Sequence, residues 1–317
     1  MYFPYLRGKQ FELLALREIA PRLGSSGRVM PIIEPVRAPA DSGLDRCLTS
    51  LVNYSVGFVL VVNPNVGELQ SRTIPGVLAE YIADRDQEES WNIGVIIEEG
   101  TDVGSLLQSY IEAVGTGRTL TLIHKSLAVS GENVPAVENG FRRGFDVVSD
   151  DIKSRHLRSL TSKADRGVTL HDGFVPEKRN ANYIGRQETT FNEDHLYYKD
   201  EGWFGFGDYL TIGAEFSEGG FSPRAVAIHW TYEPAVGKPI MIRSFTSESN
   251  GDVSNVGGKF LEAAGKLVAF LNAHNIQTDA ANIMRSHVFN HTYPGLGVVK
   301  KLSILNHLQM MSEILSR

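Results

Sequence analysis

Short β-forming runs alternate with helix-like segments along the first two-thirds of the chain, and this alternation constrains the fold more than any other feature. Strand-like runs occupy residues 2–6, 29–33, 57–62, 93–97, 119–123, 145–148, 167–170 and 209–215. They are rich in Val, Ile and Leu without strict polar alternation, as parallel strands buried on both faces require. Helix-like segments at 10–20, 43–52, 74–83, 103–114 and 151–162 lie between them. The pattern predicts a closed (β/α)8, TIM-barrel-like fold, with an open doubly wound α/β sheet as the alternative. Further runs at 225–232 and 240–245 exceed eight strands, so some must form an antiparallel extension or an insert. The runs 209–216 and 225–232 either pair as an antiparallel hairpin or follow one another as barrel strands. The polar, aromatic stretch 173–207 is too long for a simple crossover and reads as a functional insert. A polar loop follows residue 245, then helices at 257–272 and 298–315, each with one apolar stripe. The expected organisation is a barrel domain over 1–245, with helices of 246–317 packed on its wall in one structural unit.

Composition narrows the class. The chain of 317 residues is 42% apolar and 21% charged. A chain of that size and make-up can bury a sizeable core without a metal or disulfide staple. A net charge of −6 disfavours coating of nucleic acid by bulk electrostatics and leaves room only for a local basic groove. The single cysteine, Cys47, excludes an internal disulfide and a CxxC metal knuckle, and reads as a small core residue. The start shows no basic region followed by an apolar core. The longest apolar runs, such as 59–62, fall far short of the roughly 20 residues that span a bilayer. The expected compartment is the cytoplasm, with no membrane partner.

In a parallel barrel, the residues after each strand gather at one mouth. Those positions hold Arg7 and Lys9, Glu34, Asn63 and Asn65, Glu98 and Glu99, His124 and Lys125, Ser149 and Asp150, His171 and Asp172, then Glu215. Asp, Asn and Ser there can serve as helix caps, whereas Glu34, Glu98, His124, Lys125 and His171 are poor caps and point to a polar pocket. The stretch 204–232 adds Asp208, Tyr209, Ser217, Glu218, His229 and Thr231 among β-formers. A basic, aromatic patch follows the seventh run, with Arg179, Asn180, Tyr183 and Arg186. Two chemistries suit this set. Glu34, Glu98, Asp172 and Glu215 could bind Mg²⁺ or Mn²⁺, with His171 or His229 as acid/base and Arg7, Lys9 or Lys125 holding phosphate, in a phosphodiester or nucleotide hydrolase. Alternatively Arg7, Lys9, Asn63, Lys125, Asp150, Arg179, Asn180, Tyr183, Asp208, Tyr209 and Ser217 line a site that senses a small anionic ligand without turnover. Lys300, Lys301 and His307 read as an exposed helix face. Zinc-protease, P-loop, serine-hydrolase and dinucleotide fingerprints are absent.

The opening 2–16, the step Pro31-Ile-Ile-Glu-Pro35, His171-Asp-Gly-Phe174 with Arg179-Asn-Ala-Asn-Tyr183, the segment 204–232, and Phe289-Asn-His-Thr-Tyr-Pro-Gly-Leu-Gly-Val-Val-Lys-Lys-Leu-Ser-Ile-Leu-Asn-His307 form a combined signature. Over almost its full length, the chain resembles the beta protein family of phages and bacterial mobile elements. The resemblance implies a component of a phage-defence-type locus. It also implies a protein partner encoded nearby, since some members sit beside a small protein similar to PD-(D/E)XK nucleases. It carries Arg7, Lys9, Glu12, Glu34, Asp172, Arg179, Asn180, Tyr183, Asp208, Tyr209, Glu215, Ser217, His229, Lys300 and His307 as pattern positions. The family pattern favours an acid where this chain has Asn182 and Ala214.

Overall fold

The computed structural model describes residues 1–85, 91–126, 140–150, 152, 163–185, 187–217 and 223–317. The expected helix 151–162, apart from Ile152, lies outside the described residues, as do Arg186 and Glu218. The chain forms two compact units, Met1–His171 with Tyr197–Asp208, and Asp172–Leu196 with Tyr209–Arg317.

The first unit is a TIM-barrel-like α/β fold. Its strands are β1 (Tyr5–Leu6), β2 (Ile32–Ile33), β3 (Phe58–Val61), β4 (Trp91–Ile97), β5 (Thr119–His124), β6 (Arg142–Ser149), β7 (Gly167–His171) and, after the excursion that holds β8 (Glu188–Asn192), β9 (Gly205–Asp208). The eight strands lie in the order β1-β2-β3-β4-β5-β6-β7-β9, and all seven neighbouring pairs are parallel. The sheet nearly closes because Tyr2 bridges both Val29 and Phe206 in parallel. Across that seam Phe3 N donates to Phe206 O at 2.8 Å and Phe206 N donates to Met1 O at 3.1 Å.

Helices cover the strands. In Gln10–Ser26, the residues Leu13, Leu16, Ile19 and Leu23 are buried, and Gly27 ends the helix at φ 59° in the left-handed region, where a glycine carries no steric penalty. The sequence pattern stops this helix at 20, before Pro21, but it runs on. Pro21 leaves Arg17 O without its helical donor, and the Ser50 hydroxyl approaches that oxygen at 3.5 Å.

The expected eighth strand at 209–215 is corrected. The closing strand ends at Asp208, and Leu210–Ile212 form a 3-10 turn with Leu210 at φ 52° and Gly213 at φ 73°. Glycines dilute the β signal of 205–208, yet the seam needs them. A Cβ on Gly207 would lie 2.2 Å from Phe3 O. Neither arrangement of 209–216 with 225–232, hairpin or successive barrel strands, forms, because the first run is not a strand.

In the second unit, β10 (Ala227–Tyr232) pairs antiparallel with β11 (Ile240–Thr246), and β11 pairs antiparallel with β8. Their sheet order is β10-β11-β8. The extra strands thus form the anticipated antiparallel element, and they pair with one another rather than with barrel strands. The compact units accordingly divide elsewhere than at 245.

Helices Val256–Ala273, Asp279–Phe289 and Leu296–Ser316 complete this unit. Phe260, Ala264, Leu267 and Leu271 of the first, and Leu302, Leu305 and Leu308 of the last, are buried as their stripes predict. His307 is also fully buried, contrary to the expected exposed face. Its Nδ1 lies 2.9 Å from Thr231 Oγ1, and Asn306 Nδ2 donates to Thr231 O at 2.8 Å. Paired polar groups thus tie this helix to β10. Among the described residues no helix is long and apolar enough to cross a membrane.

Candidate functional site

The residues singled out above separate between the two units. Arg7, Lys9, Glu34, Asn63, Glu98, Lys125, Asp150, His171 and Asp208 belong to the barrel unit, and Asp172, Arg179, Asn180, Tyr183, Tyr209, Glu215, Ser217 and His229 to the other. Glu34 and Glu98 therefore fall in a different unit from Asp172 and Glu215. Among the described residues no three His, Cys, Asp or Glu side chains are grouped as a metal site requires.

At the strand ends of the barrel unit the polar groups largely satisfy one another. Glu34 is 0% exposed, and its Oε2 accepts from Tyr5 Oη at 2.7 Å and Arg7 Nε at 3.3 Å. Its Oε1 accepts from Asn65 N at 2.8 Å. These three donors, one of them a guanidinium, hold the carboxylate as a buried structural anion. Asn63 donates to Ile96 O at 2.8 Å and accepts from Ile96 N at 2.9 Å, so its amide stands in for a strand backbone beside β4. Asn65 Nδ2 donates to Glu98 Oε1. Lys125 lies with Nζ 5.0 Å from the Tyr5 ring centroid.

Further round the barrel, His171 Nδ1 pairs with Asp150 Oδ2, and Thr169 Oγ1 donates to Asp150 Oδ1 at 3.3 Å. Buried His124 is spent on Asp146, its Nε2 3.3 Å from Oδ1, with Arg143 Nη2 at 3.2 Å from Oδ2. Burial pushes the Asp146 carboxyl up, but the His124 hydrogen bond and the Arg143 charge outweigh it and hold its pKa low. Asp208, fully buried, accepts from Tyr2 Oη at 2.8 Å and belongs to the closing seam. Lys9 is the N-cap residue of helix Gln10–Ser26.

In the second unit, six of the sequence-selected residues line one cavity of about 460 Å³: Asp172, Asn180, Tyr183, Glu215, Ser217 and His229. That volume lies within the range of small-molecule sites. Strand β10 presents His229 there, half-buried, with its Nδ1 2.9 Å from Ser244 Oγ on the paired strand β11. Phe174 and Tyr183 meet the imidazole edge-on, with centroids 4.9 and 4.6 Å away, a favoured aromatic geometry. Burial, helped by the Lys300 charge, pushes the His229 pKa down to about 4. The ring is therefore neutral at physiological pH. Asp172 Oδ1 accepts from Phe174 N at 3.1 Å and Oδ2 from Ala214 N at 2.8 Å, so this carboxylate clamps two loops at the rim. Asn180 Nδ2 donates to Ala225 O at 2.8 Å, and Tyr183 Oη accepts from Glu177 N at 3.0 Å. These bonds fix the walls.

Further lining groups remain chemically open. Thr211 is 5% exposed, and its Oγ1 has no hydrogen-bond partner among the described residues. Glu215 and Lys300, both exposed and of opposite charge, make no hydrogen bond or ion pair among the described residues. Arg179 is exposed and lies outside the lining, as does buried Tyr209. Sequence reasoning missed Thr211, Phe174 and Ser244. Thr211 sits in a run that reads as strand, and Ser244 is recognisable only through the β10–β11 register.

Compared with known proteins, the chain matches no family model, no curated protein and no solved structure.

Proposed function

We propose that the cavity of the second unit binds a small polar ligand and that this binding is how the protein acts. The ligand carries a flat portion that seats against Phe174 and Tyr183, an anionic group for Lys300 and a donor group for Glu215. Thr211 carries the reading, because its buried hydroxyl has no partner among the described residues. Such a group costs about 1–3 kcal/mol, and a bound polar group relieves that cost. His229 adds a neutral ring whose Nε2 is unbonded among the described residues, so it reads a partner without charge repulsion. The resemblance to the beta protein family supports placing this binding in an accessory component of a phage-defence-type locus, working with a protein partner such as a nuclease.

A host carrying the whole locus provides the test. His229→Ala and Lys300→Ala chains, purified folded and monodisperse, should lose protection, while Arg179→Ala keeps it. Protection surviving both substitutions removes the cavity from the account. For the partner, the neighbouring gene products should co-purify with the chain, and a chain that stays alone at micromolar concentration refutes that part.

A further inference from the structure

In the strand-end cluster of the barrel unit, the Lys125 ammonium makes no ion pair among the described residues. Lys125 follows directly after β5, and its backbone N still donates to Ile97 O at 3.0 Å, so the stem is held in register with β4. Its Nζ rests over the Tyr5 ring at 5.0 Å. Tyr5 is itself fixed through its hydroxyl on Glu34. Among the described residues the ammonium makes no ion pair, because Glu34 is saturated by Tyr5, Arg7 and Asn65. Glu98 is the one half-buried carboxylate close enough to act on it electrostatically, and Glu98 Oε2 has no hydrogen-bond partner among the described residues. A half-buried lysine beside a carboxylate, over an aromatic wall and at the strand ends where such barrels carry chemistry, is an amine set up to react.

We propose that Lys125 forms an imine with a small aldehyde or 2-keto acid, with Glu98 moving the protons. The Nζ lone pair attacks the carbonyl carbon, and the C=O electron pair moves to oxygen. The proton lost from nitrogen passes to that oxygen, giving a carbinolamine. Glu98 then carries the remaining N–H proton to the hydroxyl, which leaves as water while the nitrogen electron pair closes the C=N bond. Amine and carbonyl become imine and water, with no change of oxidation state. Desolvation lowers the ammonium pKa, Glu34 and Glu98 pull it back, Arg7 opposes protonation, and the net direction is down.

Reductive trapping tests this on the full chain. Lys178 and Lys199 are exposed and serve as internal references. With glyoxylate and sodium cyanoborohydride at neutral pH, peptide mass spectrometry should show Lys125 alkylated severalfold faster than either. Its rate should level off at a lower pH than theirs. Glu98→Gln should slow trapping at Lys125 and leave Lys178 unchanged. Labelling of Lys125 no faster than that of Lys178 in a folded chain, or a Glu98→Gln chain that labels Lys125 at the wild-type rate, overturns the proposal.

Discussion

The strand ends of the barrel and the cavity of the second unit both collect ionisable side chains, but they treat them in opposite ways. In the barrel unit, Glu34, Asn63, His124, Asp146 and Asp208 are buried and spend polar atoms on neighbouring side chains or on backbone. In the cavity, Thr211 is buried without a partner, His229 is half-open, and Lys300 and Glu215 share the lining with no ion pair among the described residues. The difference teaches that a carboxylate or imidazole at a strand end signals function only when its hydrogen-bond capacity is left over. Saturated groups report architecture.

The comparison breaks most visibly at Glu34, which pairs with the buried Arg7 guanidinium. Glu34→Ala strands that cation and should cost about 3–5 kcal/mol in urea denaturation. A loss below about 1 kcal/mol would mean that Arg7 finds water and that this carboxylate is not structural. The next effect is in pH. The His229 pKa is about 4 in the folded chain against 6.5 for the free side chain. On acidification the unfolded state therefore binds the extra proton first. The contribution of the neutral ring is complete above about pH 6.5 and declines as pH falls towards 4. The loss is about 2–3 kcal/mol, trimmed for the ring's partial exposure. His229→Gln should flatten that part of the stability–pH curve, and a mutant curve parallel to wild type would refute the assignment.

Thr211→Val should move in the opposite direction from Glu34→Ala, because it removes a hydroxyl that no described residue satisfies. With shape conserved, stability should stay unchanged or rise by up to about 1 kcal/mol, while protection in the host falls. Clear destabilisation would show that the hydroxyl has a partner in the free protein. The smallest effect is expected at Cys47. Burial pushes its thiol up to about 12. Iodoacetamide at pH 8 should leave the folded chain unmodified and label it only on denaturation.

The sequence made the barrel legible where strands are runs of Val, Ile and Leu buried on both faces, as in β3 and β4. It concealed β9, because glycines demanded by close backbone approach look like loop. It also misled at 209–216, because Thr211 and Ile212 have β propensity while Leu210 takes a left-handed backbone that no propensity foretells. For the sites, residue types were readable and their destinations were not. Asp172 and Glu34 look equivalent in the sequence, yet they lie in different units. Six cavity residues were found because they stand out as polar at strand ends, in the basic aromatic patch or among β-formers, whereas Thr211 gives no such contrast.

The glycine-lined seam also sets a timetable for synthesis. Tyr2 meets Asp208 across a separation of 206 residues. At about 5–20 residues per second, the ribosome takes roughly 10–40 s to deliver the strand that covers the N-terminal one. Through that interval β1 has only β2 as a strand neighbour, and its other edge offers unpaired backbone to any passing strand. Residues 172–196 emerge before the seam can close, so the barrel is completed late in translation, when the second unit is still only partly made.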